Sequence, residues 1–245
     1  MADLAKALEE VFVYSGRYST YRGRRHGRPV NDLPGWRFIG YAQNHDQVGN
    51  RPRGERLGHL TSEGRTKIAA ALVITAPFVP MIFQGEEFNA SSPFLYFTHH
   101  EDEELGKKVS EGRTNEFSGF GWQSHEIPDP QAAETMQLSK LNWEEASAGA
   151  HSEMLAWYKD LIHLRKTTPD LTNGRMDLVH VECDEETGSF DVTRGSLRVL
   201  CNFGTQSHTR HICEGARLLL ASDPEIALSD GKLSLPPDSV AILQT

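Results

Sequence analysis

The stretch Phe38–Leu57 reads FIGYAQNHDQVGNRPRGERL. It opens as a strand, with aromatic and β-branched residues. Then come Asn44-His45-Asp46-Gln47, four adjacent hydrogen-bonding side chains, followed by Gly49 and Asn50. Two readings stand. One is an ordinary strand-to-loop exit, with Asn44 and Asp46 as turn residues and His45 as a satisfied surface histidine. The other is a site built at the carboxyl end of a parallel strand, where ligands bind in α/β folds. There an Asn, a His and an Asp side by side can hydrogen-bond neighbouring sugar hydroxyls. The Asp can also stabilise a positive charge that develops in a transition state.

Working outward, the apolar spacing of Leu4, Leu8, Val11 and Phe12 predicts a helix over residues 3–14, with Asp3 as a cap. Residues 15–34 are polar, Gly-rich and basic, and read as a loop. WRFIGYAQ, residues 36–43, reads as a strand. Thr61 or Ser62 can cap a helix through EGRTKIAAALVITA. Its apolar face (Ile68, Ala71, Leu72, Ile74) should pack on a sheet, and Pro77 and Pro80 stop it. VPMIFQ, residues 79–84, has the continuous apolar run of a strand buried on both faces. Strand, helix and strand with a long crossover form a βαβ unit with parallel strands. Residues 85–143 are irregular, acidic and aromatic, with a short helix near Glu103 to Glu111. Residues 151–166 form an amphipathic helix with Met154, Tyr158, Leu161 and Ile162 on one face. Arg165 and Lys166 suit that helix's C-terminal dipole.

After Gly174 the period becomes two. MDLVHVE, SFDVT, SLRVLCNF, Thr209 to Cys213, ARLLLA and SVAIL read as short strands punctuated by glycines, hence a small β-sandwich. The expected division is residues 1–172 as an α/β part and 173–245 as an all-β part. The first part holds only two convincing parallel strands, and such sheets need several covered neighbours. The chain therefore reads as the end of something larger.

The 245 residues carry a formal net charge of −9, which disfavours a nucleic-acid partner. Within the one basic run, Arg22 to Arg28, a solvated loop competes with an anion contact. No apolar stretch resembles a signal peptide or reaches transmembrane length. Cys183, Cys201 and Cys213 lack CxxC spacing and read as reduced, small core residues of a cytoplasmic protein. At the second strand exit, IFQGEEF, either Glu86 or Glu87 faces the same site as Asp46, or both simply begin a helix. His99 and His100 among acids raise a metal reading, but a solvated acidic helix start is simpler, and no metal site or cofactor is assigned. Phe94, Tyr96, Phe97, Phe117, Phe120 and Trp122 either line a sugar-stacking cleft or anchor their loop.

FIGYAQNHDQVGNRPRGERL resembles the seventh-strand motif of the α-amylase superfamily of glycoside hydrolases. VYSGRYSTYRGRRHGRP, MIFQGEEFNASSPFLYFTHH, EGRTNEFSGFGW, PDPQAAETMQLSKLNW and YKDLIHLRK place the chain near the superfamily's trehalose-releasing branch. Together these stretches cover most of residues 10–168, in the family's order. The resemblance implies the last two strands and helices of a (β/α)8 barrel, followed by a β-sandwich. It implies hydrolysis of the α-1,4 bond that releases trehalose from maltooligosyl-trehalose or a related α-glucan. Asp46 matches the third carboxylate, a transition-state stabiliser, and His45 the neighbouring substrate-binding histidine. Asn44, Gln47 and Glu86 are taken as further substrate-binding residues. No stretch matches the family's Asp nucleophile or Glu acid/base, which would lie upstream of Met1. The expectation is a truncated chain, inactive alone, completed by missing strands that a separate chain could carry. A non-catalytic carbohydrate-binding or structural remnant is the alternative.

Overall fold

The computed structural model describes residues 1–30, 32–118, 121–123 and 127–245. They fall into two compact units. One comprises residues 1–40, 62–81 and 157–245, and the other residues 41–61 and 82–156.

In the first unit a helix runs over Ala2–Glu10 and stops at Val11, whose φ of 72° no helix continues. Asp3 does not cap it; its carboxylate pairs with Arg17 at 2.6 Å, across the start of the following segment. The expected loop of residues 15–34 contains a small antiparallel ladder, Tyr18–Ser19 against Arg24–Arg25. The predicted strand over residues 36–43 shortens to Ile39–Gly40, because Gly35–Arg37 winds into a 3-10 turn.

Ile39–Gly40 pairs in parallel with Val79–Pro80, so the predicted βαβ connection is present. Val79 N donates to Phe38 O and Met81 N to Gly40 O, both at 2.9 Å. Burial on both faces is not realised. The paired residues Ile39 and Val79 are 62% and 46% exposed. Each strand has one neighbour, and a two-stranded ribbon cannot enclose its own side chains.

The crossover helix is Glu63–Thr75, and Ser62 is the capping residue, its Oγ accepting from Arg65 N at 3.2 Å. Ile68, Ala71 and Ile74 are buried, and the helix packs on the strands Ser239–Gln244 and Leu197–Asn202. Arg165 departs from expectation. It lies in the helix Gly149–Thr167 but donates to Ile74 O, to Ala76 O at 2.8 Å and to Phe78 O at 2.8 Å. It thus serves another helix's C-terminus. Arg194 joins it, donating to Thr75 O and to Asn173 O at 2.5 Å. The last carbonyls of a helix lack partners, and two guanidinium groups supply them.

The six predicted C-terminal strands are all present. Five form one antiparallel sheet in the order Val179–Asp184, Ser189–Arg194, Leu197–Asn202, Ser239–Gln244, Arg217–Ala221. The sixth, His208–His211, joins two strands that the pattern missed, Leu228–Ser229 and Lys232–Leu235. A cluster including Leu200, Ile212, Leu233, Leu235 and Leu243 draws on both sheets. Only Cys201 belongs to the core; Cys183 and Cys213 are exposed, since each sits where its strand gives way to a turn.

In the second unit, Glu103–Ser118 is one helix, longer than its expected stretch near Glu103 to Glu111. No helix among the described residues is long and apolar enough to cross a membrane.

Arg194→Met should lower unfolding free energy by about 3 kcal/mol, because charge-assisted bonds to otherwise orphaned carbonyls are lost. Urea titration checks this, and an unchanged midpoint would refute it. Asp170 provides a pH test. Its carboxylate accepts from Ser196 N and Ser196 Oγ, both at 2.7 Å, and these bonds hold it below the usual carboxylate range. A depressed folded value stabilises above about pH 4, where the unfolded aspartate is ionised, and the benefit is lost as pH falls through the folded value. Asp170→Asn should therefore flatten the acid limb of the stability–pH curve.

Candidate functional site

The chain leaves Ile39–Gly40 and, after Gln43, enters the short helix His45–Gly49. Asn44 is its N-cap: Oδ1 accepts from Gln47 N at 2.8 Å. This is why the polar quartet forms a turn rather than more strand, since the Asn side chain satisfies a donor that the helix start would leave open. Val48 is buried beneath the turn. His45 and Asp46 point outward with side chains 72% and 74% exposed, and His45 Nε2 lies 3.3 Å from Asp46 Oδ1. Gln47 is exposed beside them.

The far end of the helix is held by Arg113. Its guanidinium donates to Gly49 O and, at 3.3 Å, to Asn50 Oδ1. The same group lies 4.8 Å from the Tyr96 ring centre and 4.4 Å from that of Phe117. Burial pushes the Arg113 pKa down, partly offset by Glu116 and Tyr96, and the two rings offer cation–π partners in place of water. Glycine is required at Gly54, where φ is +59° and a Cβ would strike Phe94 O at 2.5 Å.

A second clamp is Arg56, 1% exposed. Its Nε donates to Ser92 O and its Nη1 to Gln84 O, both at 2.7 Å, and the guanidinium lies 5.3 Å from the Phe83 ring centre. Gln43 Oε1 accepts from Leu57 N at 3.0 Å, closing the loop between the strand exit and Arg56. The segment after His45–Gly49 is thereby bound to the segment after Phe83.

The structure brings Asn44, His45, Asp46 and Gln47 onto one turn. Glu86 belongs to the 3-10 turn Glu86–Phe88 and is buried, with its Oε2 accepting from Phe83 N at 3.3 Å. Of the aromatics, Tyr96 and Phe117 pack on Arg113, Trp122 lies 5.2 Å from the Arg53 guanidinium, and Phe94 contacts Phe83 and Phe97 at 5.1 and 5.8 Å. Phe120 lies outside the described residues. Among the described residues no cluster of three His, Cys, Asp or Glu could hold a metal ion.

Gln43, Arg56 and Arg113 escaped the sequence reading. The one signal for Arg113 was the density of aromatics in its loop, which a buried cation can use. Nothing in spacing marks Arg56. Chemically, the turn offers one exposed carboxylate and an imidazole above a rigid base, suited to polar ligand groups or to a developing positive charge.

No protein-family model matches the chain. A malto-oligosyltrehalose trehalohydrolase of Brevibacterium helvolum is 42% identical over 248 residues, covering 100% of this chain and 42% of that protein. One from Rhizobium sp. (strain M-11) is 42% identical over 243 residues, covering 98% of this chain and 41% of its own length. The chain is homologous to part of the malto-oligosyltrehalose trehalohydrolases. A crystal structure of a candidate α-amylase from Salmonella typhimurium is 34% identical with a TM-score of 0.84, covering 99% of this chain and 41% of that one. The homology thus extends along the whole chain, which spans about two-fifths of the length of these curated relatives. The mixed helix-and-sheet architecture is that of part of an α-amylase-family enzyme.

Arg56→Met should free the carbonyls of Gln84 and Ser92 and cost about 2–3 kcal/mol locally. Hydrogen exchange should then quicken across residues 43–57 and 84–92; unchanged protection there would show that the clamp is dispensable.

Proposed function

We propose that this chain is the C-terminal portion of a trehalose-releasing glycoside hydrolase that cuts the α-1,4 bond of maltooligosyl-trehalose or a related α-glucan. Residues 1–172 then contribute the last two strands and helices of a (β/α)8 barrel, and residues 173–245 a β-sandwich. Asp46 acts as the transition-state stabiliser. Asn44, His45 and Gln47 bind the sugar around it. Glu86 is buried and its carboxylate accepts from Phe83 N, so at the second strand exit it acts as a positioning residue and not as a direct sugar contact. Three free cysteines suit a reducing, cytoplasmic compartment.

The observation that carries this reading is the exposed His45–Asp46 pair on a rigid turn directly after a parallel strand, within a chain homologous along its whole length to these hydrolases. A carboxylate fixed beside the sugar ring favours an oxocarbenium-like state over the neutral ground state, and His45 can hold an adjacent hydroxyl. Asp46 alone cannot complete the reaction. Retaining hydrolysis needs a nucleophile and an acid/base about 5–5.5 Å apart. The remaining carboxylates must come from barrel strands supplied by fusion or in trans.

The test fuses the chain to the portion of the Brevibacterium helvolum relative that it does not match, and measures trehalose release from maltotriosyl-trehalose. Asp46→Asn should lower kcat by about 10²-fold or more, as for loss of a preorganised electrostatic stabiliser. His45→Ala should cost less and raise KM in part. The unfused 245-residue chain should release none. Near-wild-type kcat in a folded Asp46→Asn fusion, or steady turnover by the unfused chain, would overturn the reading. A fusion that folds but shows no turnover would favour a non-catalytic remnant.

A further inference from the structure

The helix His45–Gly49 is five residues long. A helix that short does not hold its own shape in water, so the geometry of the turn is set by what grips its two ends. Asn44 grips the first end, where its Oδ1 accepts from Gln47 N. At the second end stand two acceptors: the carbonyl of Gly49, one of those that a helix end leaves without an intrahelical donor, and the side chain of Asn50. Arg113 serves both, through Nη2 to Gly49 O and Nη1 to Asn50 Oδ1. Asn50 is also the step that reaches Asp46. Its backbone N–H donates to Asp46 O at 3.0 Å and closes the last turn. One residue therefore links the guanidinium to the backbone that carries the candidate carboxylate.

Arg113 is itself fixed. Its side chain is 9% exposed, which leaves it closed to a ligand. The Tyr96 and Phe117 rings hold its guanidinium at 4.8 and 4.4 Å. The helix that carries it, Glu103–Ser118, is tied to a later segment by Ser110 Oγ, which donates to Asp129 Oδ1 at 2.5 Å. A lysine would not replace it. The planar guanidinium can lie against rings while its fork serves two acceptors, whereas an ammonium donates from one point.

We propose that Arg113 is a positioning residue for the chemistry at Asp46, acting through Gly49 and Asn50 without touching the ligand. The inference rests on the reading of Asp46 as a transition-state stabiliser, and adds to it the group that sets where that carboxylate stands. A preorganised carboxylate helps only where the charge develops, and a displacement of about 1 Å can cost about 10²-fold in rate. Loss of Arg113 therefore falls on kcat, while affinity for the ground state, which draws on other contacts, is largely kept.

The test is a double-mutant cycle in the fusion with the unmatched portion of the Brevibacterium helvolum relative, with maltotriosyl-trehalose as substrate and circular dichroism to confirm folding. Arg113→Met should lower kcat about thirtyfold and change KM by less than about threefold. Arg113→Lys should recover only a small part. In the Asp46→Asn background Arg113→Met should cost less than about twofold, because nothing is left for it to position. A residue with a merely structural role would cost the same factor in both backgrounds. Should Arg113→Met fail to fold, Arg113→Lys keeps the charge and is read in the same two backgrounds. Amide exchange at Asn50 in the unfused 245-residue chain reads the link without turnover, and Arg113→Met should quicken it about tenfold or more. Equal factors in the two backgrounds, unchanged kcat in a folded Arg113→Met fusion, or wild-type protection of Asn50 overturns the proposal. A wild-type fusion without turnover would sink the catalytic reading, and the exchange at Asn50 would then decide whether Arg113 positions the turn.

Discussion

The first unit depends on one arrangement: two arginines, Arg165 and Arg194, seated on the C-terminal carbonyls of the helix Glu63–Thr75. A helix end is a concentration of negative partial charge with unpaired acceptors. Burying it against a sheet without donors would be costly. Burying two cations is costly too. The Arg194 pKa is lowered to about 10, chiefly by burial and then by the neighbouring Arg165 charge. Each cost is answered by the other, because the carbonyls provide what the guanidinium groups lose in leaving water. The opposite end of the helix is pinned as well. Ser62 Oγ and Arg65 Nε donate to the two oxygens of Asp238 at 2.6 and 2.8 Å, and Arg65 reaches Phe203 O at 3.1 Å. Trp157 Nε1 bonds Lys67 O at 3.0 Å along the side. A single helix thereby joins the parallel strand pair to the all-β sheet.

In the second unit the same economy separates holding from presenting. Gln43, Val48, Arg56 and Arg113 are committed to the interior. They fix the backbone on both flanks of the turn, and that leaves His45 and Asp46 outside and directed at solvent. Preorganisation of this kind matters for electrostatic work, because a carboxylate already in position reorganises little when charge develops before it. Asn44 serves both tasks, since its Oδ1 caps the helix while its amide nitrogen remains a donor.

The parallel pair Ile39–Gly40 and Val79–Pro80 is the least self-sufficient part of the first unit. Its apolar residues are those of an interior strand, yet two of them face water. The homologous hydrolases and the Salmonella typhimurium structure are each more than twice as long as the matched region.

Much of this was legible from residues alone. Period-two alternation located six of the eight C-terminal strands, the wide apolar face and Ser62 located the crossover helix, and the abrupt change at Asn44 marked the turn. These features follow from local rules of spacing, capping and polarity. What the sequence could not determine is where long side chains go. Arg165 looked like a cap for its own helix, and Arg56 and Arg113 looked like loop charges. Each became an interior clamp, because a guanidinium group on a flexible stem reaches carbonyls and rings far away in sequence. Leu228–Ser229 and Lys232–Leu235 escaped for a related reason, since such short strands exist only through the partners they find. The sequence by itself determined the crossover helix, six of the C-terminal strands and which residues stand at the strand exit. Only the tertiary structure decided which of those polar groups are spent holding the backbone and which remain free to meet a ligand, because that depends on donors and acceptors brought together from distant parts of the chain.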